Sequence, residues 1–145
     1  MGEPPLTQDQ EKALRELLER KPNPLKEDQV KELLQRHLES HGWQVKVKWG
    51  QTKGIDIEAT SATRHWIIEA KGWARGSEPQ QGNYFWTAIA ELLQRMESDD
   101  AKYSLAFPDI PRYRGLWERF PDLAKRRTGI SCLFVDRQGG IVESQ

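Results

Sequence analysis

The stretch of sequence that most constrains the fold is GIDIEATSATRHWIIEAKG, residues 54–72, in which two isoleucine-rich segments flank a short polar interval. Short apolar runs bounded by turn residues are typical of buried strands. We therefore predict a β-hairpin whose loop is the four residues SATR, 61–64. Because loop length sets the pairing register of a hairpin, Thr60 is then expected opposite His65, and Asp56 opposite Glu69.

The alternation of side chains separates the charged residues of this hairpin from the apolar ones. Side chains repeat every two residues on one face of a strand, so Asp56, Glu69 and Lys71 are expected to share a face. The other face is almost purely apolar and is expected to pack on the core; it carries Ile55, Ile57, Ala59, Trp66, Ile68 and Ala70.

The two acids are expected to lie close enough to interact strongly. Directly opposed residues have Cβ atoms about 5 Å apart, and two carboxylates at that separation repel each other unless one takes up a proton or a cation binds between them. Mg²⁺ prefers carboxylate oxygens and needs only one or two protein acids. A neighbouring lysine can orient an attacking water or neutralise charge developing on a phosphate.

Asp56, Glu69 and Lys71 are therefore candidates for metal-assisted cleavage of a phosphodiester bond. Two simpler interpretations stay open. The polar face of the hairpin is merely solvated, or Glu69 and Lys71 form a surface ion pair in an ordinary α/β domain.

The patterns on either side of the hairpin predict an α/β domain. The first predicted helix is amphipathic, has the sequence TQDQEKALRELLER and carries a capping box of Thr7 and Gln10. A second helix begins near Asn23 and Pro24 and ends at Gly42. A third helix has the sequence NYFWTAIAELLQRM. WQVKVKW alternates as a half-buried strand, with Trp43, Val45, Val47 and Trp49 on one face. Three further strands are predicted at KYSLAF, ISCLFVD and IVES. We expect short helical pieces in PRYRGLWERFPDLAKRR and a polar loop at GWARGSEPQQG.

The prolines of KPNP end the first helix, because proline cannot continue a helix interior. We therefore divide the chain into an N-terminal helical extension, residues 1–22, and a main domain, residues 23–145.

Composition and charge exclude several classes of protein. The chain has 145 residues with 22 basic and 22 acidic side chains, so its net charge does not by itself indicate a nucleic-acid partner. No apolar run approaches the ~20 residues that span a bilayer, and the first residues lack a signal-peptide pattern. We expect a cytoplasmic protein with no membrane partner. The single cysteine, Cys132, provides neither a disulfide framework nor a thiolate zinc site.

The motif GIDIEA…HWIIEAKG, preceded by EDQVKELLQRHLESHGWQVKV, resembles the PD-(D/E)xK nuclease superfamily, which includes Holliday-junction resolvases and Mrr-type restriction enzymes. The likeness covers about residues 25–135, in element order as well as motif. It implies a restriction-endonuclease-like αβββαβ core, with a central mixed sheet flanked by helices. It also implies an endodeoxyribonuclease that uses Mg²⁺, for which Mn²⁺ can substitute. Ile55 stands where the family label has proline, a substitution frequent in the superfamily.

The resemblance also assigns roles to individual residues. Asp56, Glu69 and the backbone carbonyl of Ala70 would bind the metal, and Lys71 would assist the attacking water. Many members place another acid on the first core helix, for which Glu27 and Glu32 are the candidates. Glu27 continues the inward stripe of Val30, Leu34 and Leu38, whereas Glu32 points outward, so we choose Glu27.

Further residues are candidates for contact with the substrate, which we expect to be DNA. Trp73 and Arg75 follow Lys71 directly, and Gln81, Tyr84 and Glu91 belong to the next helix. A homodimer is compatible with cleavage of both DNA strands, and the first helix offers an interface for it. The alternative to a nuclease is a non-catalytic nucleic-acid-binding or assembly module on the same fold.

Overall fold

The computed structural model describes residues 2–19, 24–50, 52–73 and 78–145. These ranges contain five helices and six strands: α1 (Gln8–Glu19), α2 (Glu27–Ser40), β1 (Gln44–Val47), β2 (Ile57–Ser61), β3 (Arg64–Ala70), α3 (Glu78–Gln94), β4 (Ala101–Pro108), α4 (Pro111–Arg119), α5 (Asp122–Thr128), β5 (Ser131–Val135) and β6 (Ile141–Ser144). None of the described helices is both long enough and apolar enough to cross a membrane.

The strands form one mixed sheet in the order β1-β2-β3-β4-β5-β6. Strand β4 runs parallel to both β3 and β5, and the other neighbours are antiparallel. Each parallel connection carries helices, α3 between β3 and β4, and α4 and α5 between β4 and β5. The order α2-β1-β2-β3-α3-β4 confirms the predicted α/β, restriction-endonuclease-like fold.

Helices cover both faces of the sheet, which explains why β5 is buried at every position. One cluster joins α2 to the sheet and contains Val30, Leu34, Leu38, Ile57, Ala59, Ile68, Ala70, Leu133 and Val135. The opposite cluster joins α3 and α4 to the sheet and contains Phe85, Leu92, Tyr113, Trp117, Ile67, Leu105, Phe107, Cys132 and Phe134. The hairpin of β2 and β3 is therefore held between two apolar layers.

The predicted register of the hairpin is confirmed, because Thr60 pairs with His65 and Ile57 with Ile68. The predicted four-residue loop is wrong, since Ser61 and Arg64 also pair. The turn is only residues 62–63, in which Ala62 has a φ of 51°. Two-residue hairpin turns require such positive φ values, and shortening the loop by one residue on each side leaves the register unchanged.

Two apolar residues near the hairpin lie elsewhere than predicted. Ile55 packs against the cluster of α3 and α4 rather than with Ile57, because the chain bends between Gly54, with a φ of 127°, and the start of β2. Trp49 is 45% exposed, because the pairing of β1 stops at Val47 and the side chain no longer belongs to the buried face.

Two helix boundaries also differ from the predictions. Helix α2 begins at Glu27 with Lys26 as its N-cap, because Leu25 before it is a buried core residue whose carbonyl accepts a hydrogen bond from Trp73. Residue 23 lies outside the described ranges. Helix α3 begins at Glu78, so the predicted loop is wrong for residues 78–82. Helix α3 begins with the sequence Glu-Pro, and proline is well tolerated in the first turn of a helix.

The N-terminal capping box is confirmed by reciprocal hydrogen bonds between Thr7 and Gln10, of 3.0 and 3.2 Å. Every side chain described from Gly2 to Leu14 is exposed. The predicted boundary at residue 22 lies outside the described part of the chain.

Candidate metal and active site

The candidate site lies where β2 begins and β3 ends. Pairing of the two strands stops at Ile57 and Ile68, and the side chain of Asp56 then replaces backbone pairing, since its Oδ2 accepts a 2.9 Å hydrogen bond from the N–H of Ala70. Carboxylate oxygens of Asp56, Glu69 and Glu91 all lie within 4.8 Å of one another. We call these three residues the acidic group.

Glu69 is the buried member of the acidic group, with a side chain 1% exposed. Its Oε1 has no hydrogen-bond partner among the described residues, and Nε of Arg95 lies 3.5 Å from it. Burial raises the pKa of Glu69 to about 9, with the charge of Asp56, a hydrogen bond to Asp56 and the nearby Glu91 acting in the same direction. Without a cation, Glu69 therefore holds a proton at neutral pH.

Glu91 reaches the site from α3 and lines the same cleft as Asp56 of the hairpin. Both of its carboxylate oxygens lie 3.4 Å from Nζ of Lys71, and the side chain of Lys71 is 17% exposed. The sequence predicted Glu91 as a substrate contact, whereas its carboxylate belongs to the acidic group. Lys71 lies beside Glu91 and lines the same cleft as Asp56, and its catalytic role stays a prediction.

Glu27 reaches the same cleft from the first turn of α2. Its Oε2 lies 3.0 Å from Nζ of Lys31, a lysine with no exposed side-chain surface that the sequence analysis did not single out. The Lys31 ammonium also lies 3.5 Å from Oδ1 of Asp56. Glu32 is exposed and pairs with Arg36 at 2.6 Å, so the preference for Glu27 as the inward acid agrees with the structure.

The charge of Lys31 is maintained by its neighbours. Burial alone would lower the pKa of Lys31, but the charge of Asp56, followed by the hydrogen bond and charge of Glu27 and the charge of Asp28, raises it above its ordinary value. Lys31 therefore remains an ammonium ion inside the protein, and it compensates part of the negative charge of the carboxylates around it.

The position of α2 against the hairpin depends on Gly72. A Cβ atom at Gly72 would lie 2.1 Å from the backbone nitrogen of Glu27, so no side chain fits there. The next residue, Trp73, donates a 2.8 Å hydrogen bond from its backbone to the carbonyl of Leu25, and the hydroxyl of Tyr113 donates one of 2.8 Å to the Gly72 carbonyl. This close approach brings Glu27 beside the end of β3.

Asp56 and Glu91 of the acidic group line a cleft of about 640 Å³, whereas Glu69 is buried beside them. The cleft is lined by Glu27, Gly50, Thr52, Lys53, Gly54, Asp56, Lys71, Glu91, Gln94 and Arg95. Three of these residues are cations, so the wall of the cleft carries both negative and positive groups. Another cleft, of about 560 Å³, lies near the start of β4, but its residues are not part of the acidic group.

Apart from Glu91, the predicted substrate contacts that the structure describes do not line this cleft. Among the described residues, Trp73, Gln81 and Tyr84 are not part of its lining. Gln81 is 6% exposed and Tyr84 is 41% exposed, and Gln81 lies about 15 Å from Glu91 along the axis of α3 at 1.5 Å per residue. Arg75 lies outside the described residues.

Ala70 is fully buried, and its N–H is already bonded to Asp56. Its carbonyl as a metal ligand stays a prediction.

Two basic residues of the site, Lys31 and Arg95, could have been recognised in the sequence from their helical spacing to apolar residues. Lys31 precedes Leu34 by three positions and Leu38 by seven, and Arg95 follows Leu92 and Ala88 at the same intervals. Lys31 therefore lies on the buried face of α2. Arg95, the residue after the end of α3, continues the line of that helix's buried face and is 34% exposed. A basic residue on the apolar face of an amphipathic helix needs an acidic partner when buried, and the hairpin acids are that partner.

No protein-family model and no curated protein matches this chain. Among solved structures, it is similar to an XisH family protein from Nostoc punctiforme, with a TM-score of 0.55 and 21% identity over 79% of this chain and 97% of that one. It is also similar to an fdxN element excision controlling factor protein from Anabaena variabilis, with a TM-score of 0.56 and 21% identity over 79% of this chain and 96% of that one. At this identity the likeness shows that the three chains share a fold.

Proposed function

We propose that this protein is a Mg²⁺-dependent nuclease that hydrolyses phosphodiester bonds of DNA. Asp56, Glu69 and Glu91 would hold the metal ion, and Lys71 would act beside it. The observation that carries the proposal is the meeting of three carboxylates within 4.8 Å, with a lysine 3.4 Å from one of them, in an open cleft.

The residues fit a hard divalent cation for two reasons. All three side chains of the acidic group offer carboxylate oxygens, which Mg²⁺ and Mn²⁺ prefer. The buried Oε1 of Glu69 has no hydrogen-bond partner among the described residues, and buried polar atoms are normally satisfied. When bound, such a cation supplies Lewis acidity toward a phosphate oxygen and an attacking water.

The cations of the cleft support binding of a polyanion. Lys53 and Arg95 line the cleft together with Lys71, and basic side chains position a nucleic-acid strand through its phosphates. Lys71 is adjacent to the acidic group without belonging to it. Its ammonium can therefore donate a hydrogen bond to an attacking water or to a phosphate oxygen, where it stabilises developing negative charge.

The alternative function is a non-catalytic nucleic-acid-binding or assembly module. The solved neighbour from Anabaena variabilis is described as an excision controlling factor, a name that fits the control of a reaction better than its catalysis. A module of this kind would keep the fold and the cleft without turnover.

Incubation of the purified protein with nucleic acids tests the proposal. The substrates are supercoiled plasmid, a branched duplex, single-stranded DNA and single-stranded RNA, each with Mg²⁺, with Mn²⁺ or with EDTA. We expect metal-dependent cutting of at least one DNA substrate. Lys71→Met should reduce the rate by roughly 100-fold or more, the size of effect seen when one charge-stabilising group is removed.

The matched control is Lys102→Met, which removes a lysine 43% exposed that pairs with Glu143 rather than with the acidic group. This variant should cut at the wild-type rate. Absence of cutting on every substrate, with binding of DNA retained, would exclude the nuclease and support the module.

A further inference from the structure

Lys31 is surrounded by oxygen atoms in the manner of a bound cation. Its Nζ lies 2.5 Å from the backbone carbonyl oxygen of Lys48, 3.0 Å from Oε2 of Glu27, 3.5 Å from Oδ1 of Asp56 and 3.8 Å from Oδ1 of Asp28. Three carboxylates and one carbonyl therefore converge on a single positive charge. Carboxylate and carbonyl oxygens are also the ligands that hard divalent cations take.

Asp56 connects this position to the acidic group. Its Oδ1 faces the Lys31 ammonium and its Oδ2 accepts the hydrogen bond from Ala70, so a different donor at each oxygen sets the orientation of the carboxylate. Each carboxylate oxygen has two lone pairs, so Asp56 can still bind an ion on the side of Glu69 and Glu91.

We propose that Lys31 is a positioning residue whose ammonium permanently occupies a second cation position, so that the site takes one divalent ion instead of two. This inference rests on the metal site of the proposed function. Glu27 then serves as the partner of Lys31 rather than as a metal ligand. The acidic group alone, Asp56, Glu69 and Glu91, binds the exchangeable ion.

The fold keeps the ammonium in place. The Lys31 side chain has no exposed surface, and the carbonyl that it bonds belongs to the segment directly after β1, which no rotation of the lysine side chain can move. An ion arriving from solvent would have to displace a buried, hydrogen-bonded charge. Removal of the ammonium would instead leave Glu27 and Asp56 as uncompensated carboxylates.

The number of Mn²⁺ ions bound per chain tests the proposal. It is measured by isothermal titration calorimetry and by the electron paramagnetic resonance signal of free Mn²⁺, on the full chain. We expect one ion in the wild type and two in Lys31→Met, which keeps the length of the side chain without its charge. The double variant Lys31→Met with Glu27→Gln should return to one ion, because a ligand of the second position is then lost.

The matched control is Arg36→Met on the same helix. Arg36 also pairs with a glutamate four residues away, at 2.6 Å, but it is 72% exposed and lies away from the site. The variant should bind one ion. This comparison separates occupation of a cation position from a general structural role, since loss of packing alone does not create a metal site.

The outcomes distinguish the two proposals. Absence of bound Mn²⁺ in the wild type and in Lys31→Met refutes the metal site and with it the proposed function. One ion in both proteins, or two in the wild type, refutes the role of Lys31 alone. If Lys31→Met is unfolded without metal, Mn²⁺ should restore its circular dichroism spectrum, because the ion replaces the missing charge; failure to restore it overturns the proposal.

Discussion

The backbone N–H of Ala70 donates a 2.9 Å hydrogen bond to the side chain of Asp56, just beyond the last paired residues of β2 and β3. A carboxylate thus takes over where backbone pairing ends, and it is held at the edge of the cleft by a rigid strand. Because its other oxygen faces Lys31, Asp56 links the hairpin, α2 and the acidic group.

Removal of the Asp56 carboxylate should therefore cost both stability and metal binding. Asp56→Ala leaves the Ala70 N–H without its acceptor and removes one of the three carboxylates around the Lys31 ammonium, and an unsatisfied buried donor costs about 1–3 kcal/mol. Asp56→Asn keeps one oxygen as an acceptor and should lose less. Urea unfolding measures the free energy, and Mn²⁺ titration should detect weaker binding in both variants. Equal stability of Asp56→Ala and wild type would contradict the assignment.

The buried acid Glu69 should make stability depend on pH in a definite direction. The pKa of Glu69 is raised in the folded protein from 4.5 to about 9. At a pH between these two pKa values, the folded state therefore holds a proton that the unfolded state has released. The contribution of Glu69 to the free energy of unfolding of the protein is greatest below pH 4.5. It falls as pH rises toward 9, by at most about 1.4 kcal/mol per pH unit for one proton.

Urea unfolding in EDTA from pH 5 to pH 9 measures this effect, with Glu69→Gln as the comparison. Glutamine keeps the size of the side chain and cannot titrate, so the variant should become more stable relative to wild type as pH rises. Parallel pH profiles of the two proteins would show that Glu69 is ionised throughout.

The contact between Gly72 and the start of α2 should not tolerate a methyl group. A Cβ at Gly72 would lie 2.1 Å from the backbone nitrogen of Glu27, so Gly72→Ala should separate α2 from the end of β3 and destabilise the protein by about 1–3 kcal/mol, the usual cost of overpacking. Gly82→Ala is the control, because its Cβ would meet only the end of the Arg112 side chain, at 3.4 Å.

Gly82 lies inside α3, where alanine is favoured over glycine by about 1 kcal/mol. Thermal unfolding should therefore show a lower midpoint for Gly72→Ala and an equal or higher one for Gly82→Ala. A Gly72→Ala protein as stable as wild type would mean that α2 does not press on this segment.

The carboxylate of Glu91 should contribute to metal affinity from α3. Glu91→Gln removes one of three converging carboxylates, and we expect Mn²⁺ affinity to fall by at least roughly 10-fold, since loss of even an outer partner of a metal ligand costs about 10–100-fold. Glu32→Gln, on the exposed face of α2, is the matched control and should bind as wild type. Unchanged affinity in Glu91→Gln would limit the site to the two hairpin acids.

The local features of the hairpin could be predicted without the structure. Period-two alternation brings Asp56, Glu69 and Lys71 to one face, and the predicted register is the one observed, although the turn is two residues shorter. The same local reasoning went wrong at Ile55 and Trp49. Each lies two residues outside a strand, Trp49 after the end of β1 and Ile55 before the start of β2, where alternation no longer applies.

The partners of those residues were decided by tertiary packing. Glu91 follows Lys71 by twenty positions, and the fold of α3 against the sheet brings their side chains to 3.4 Å. Lys31 precedes Asp56 by twenty-five positions, and α2 reaches it from the other side of the hairpin because Gly72 allows a close approach. The sequence by itself determined which acids share a strand face, since that depends on local geometry. Only the fold decided which charges meet them, because contact between distant segments depends on how helices pack across the sheet.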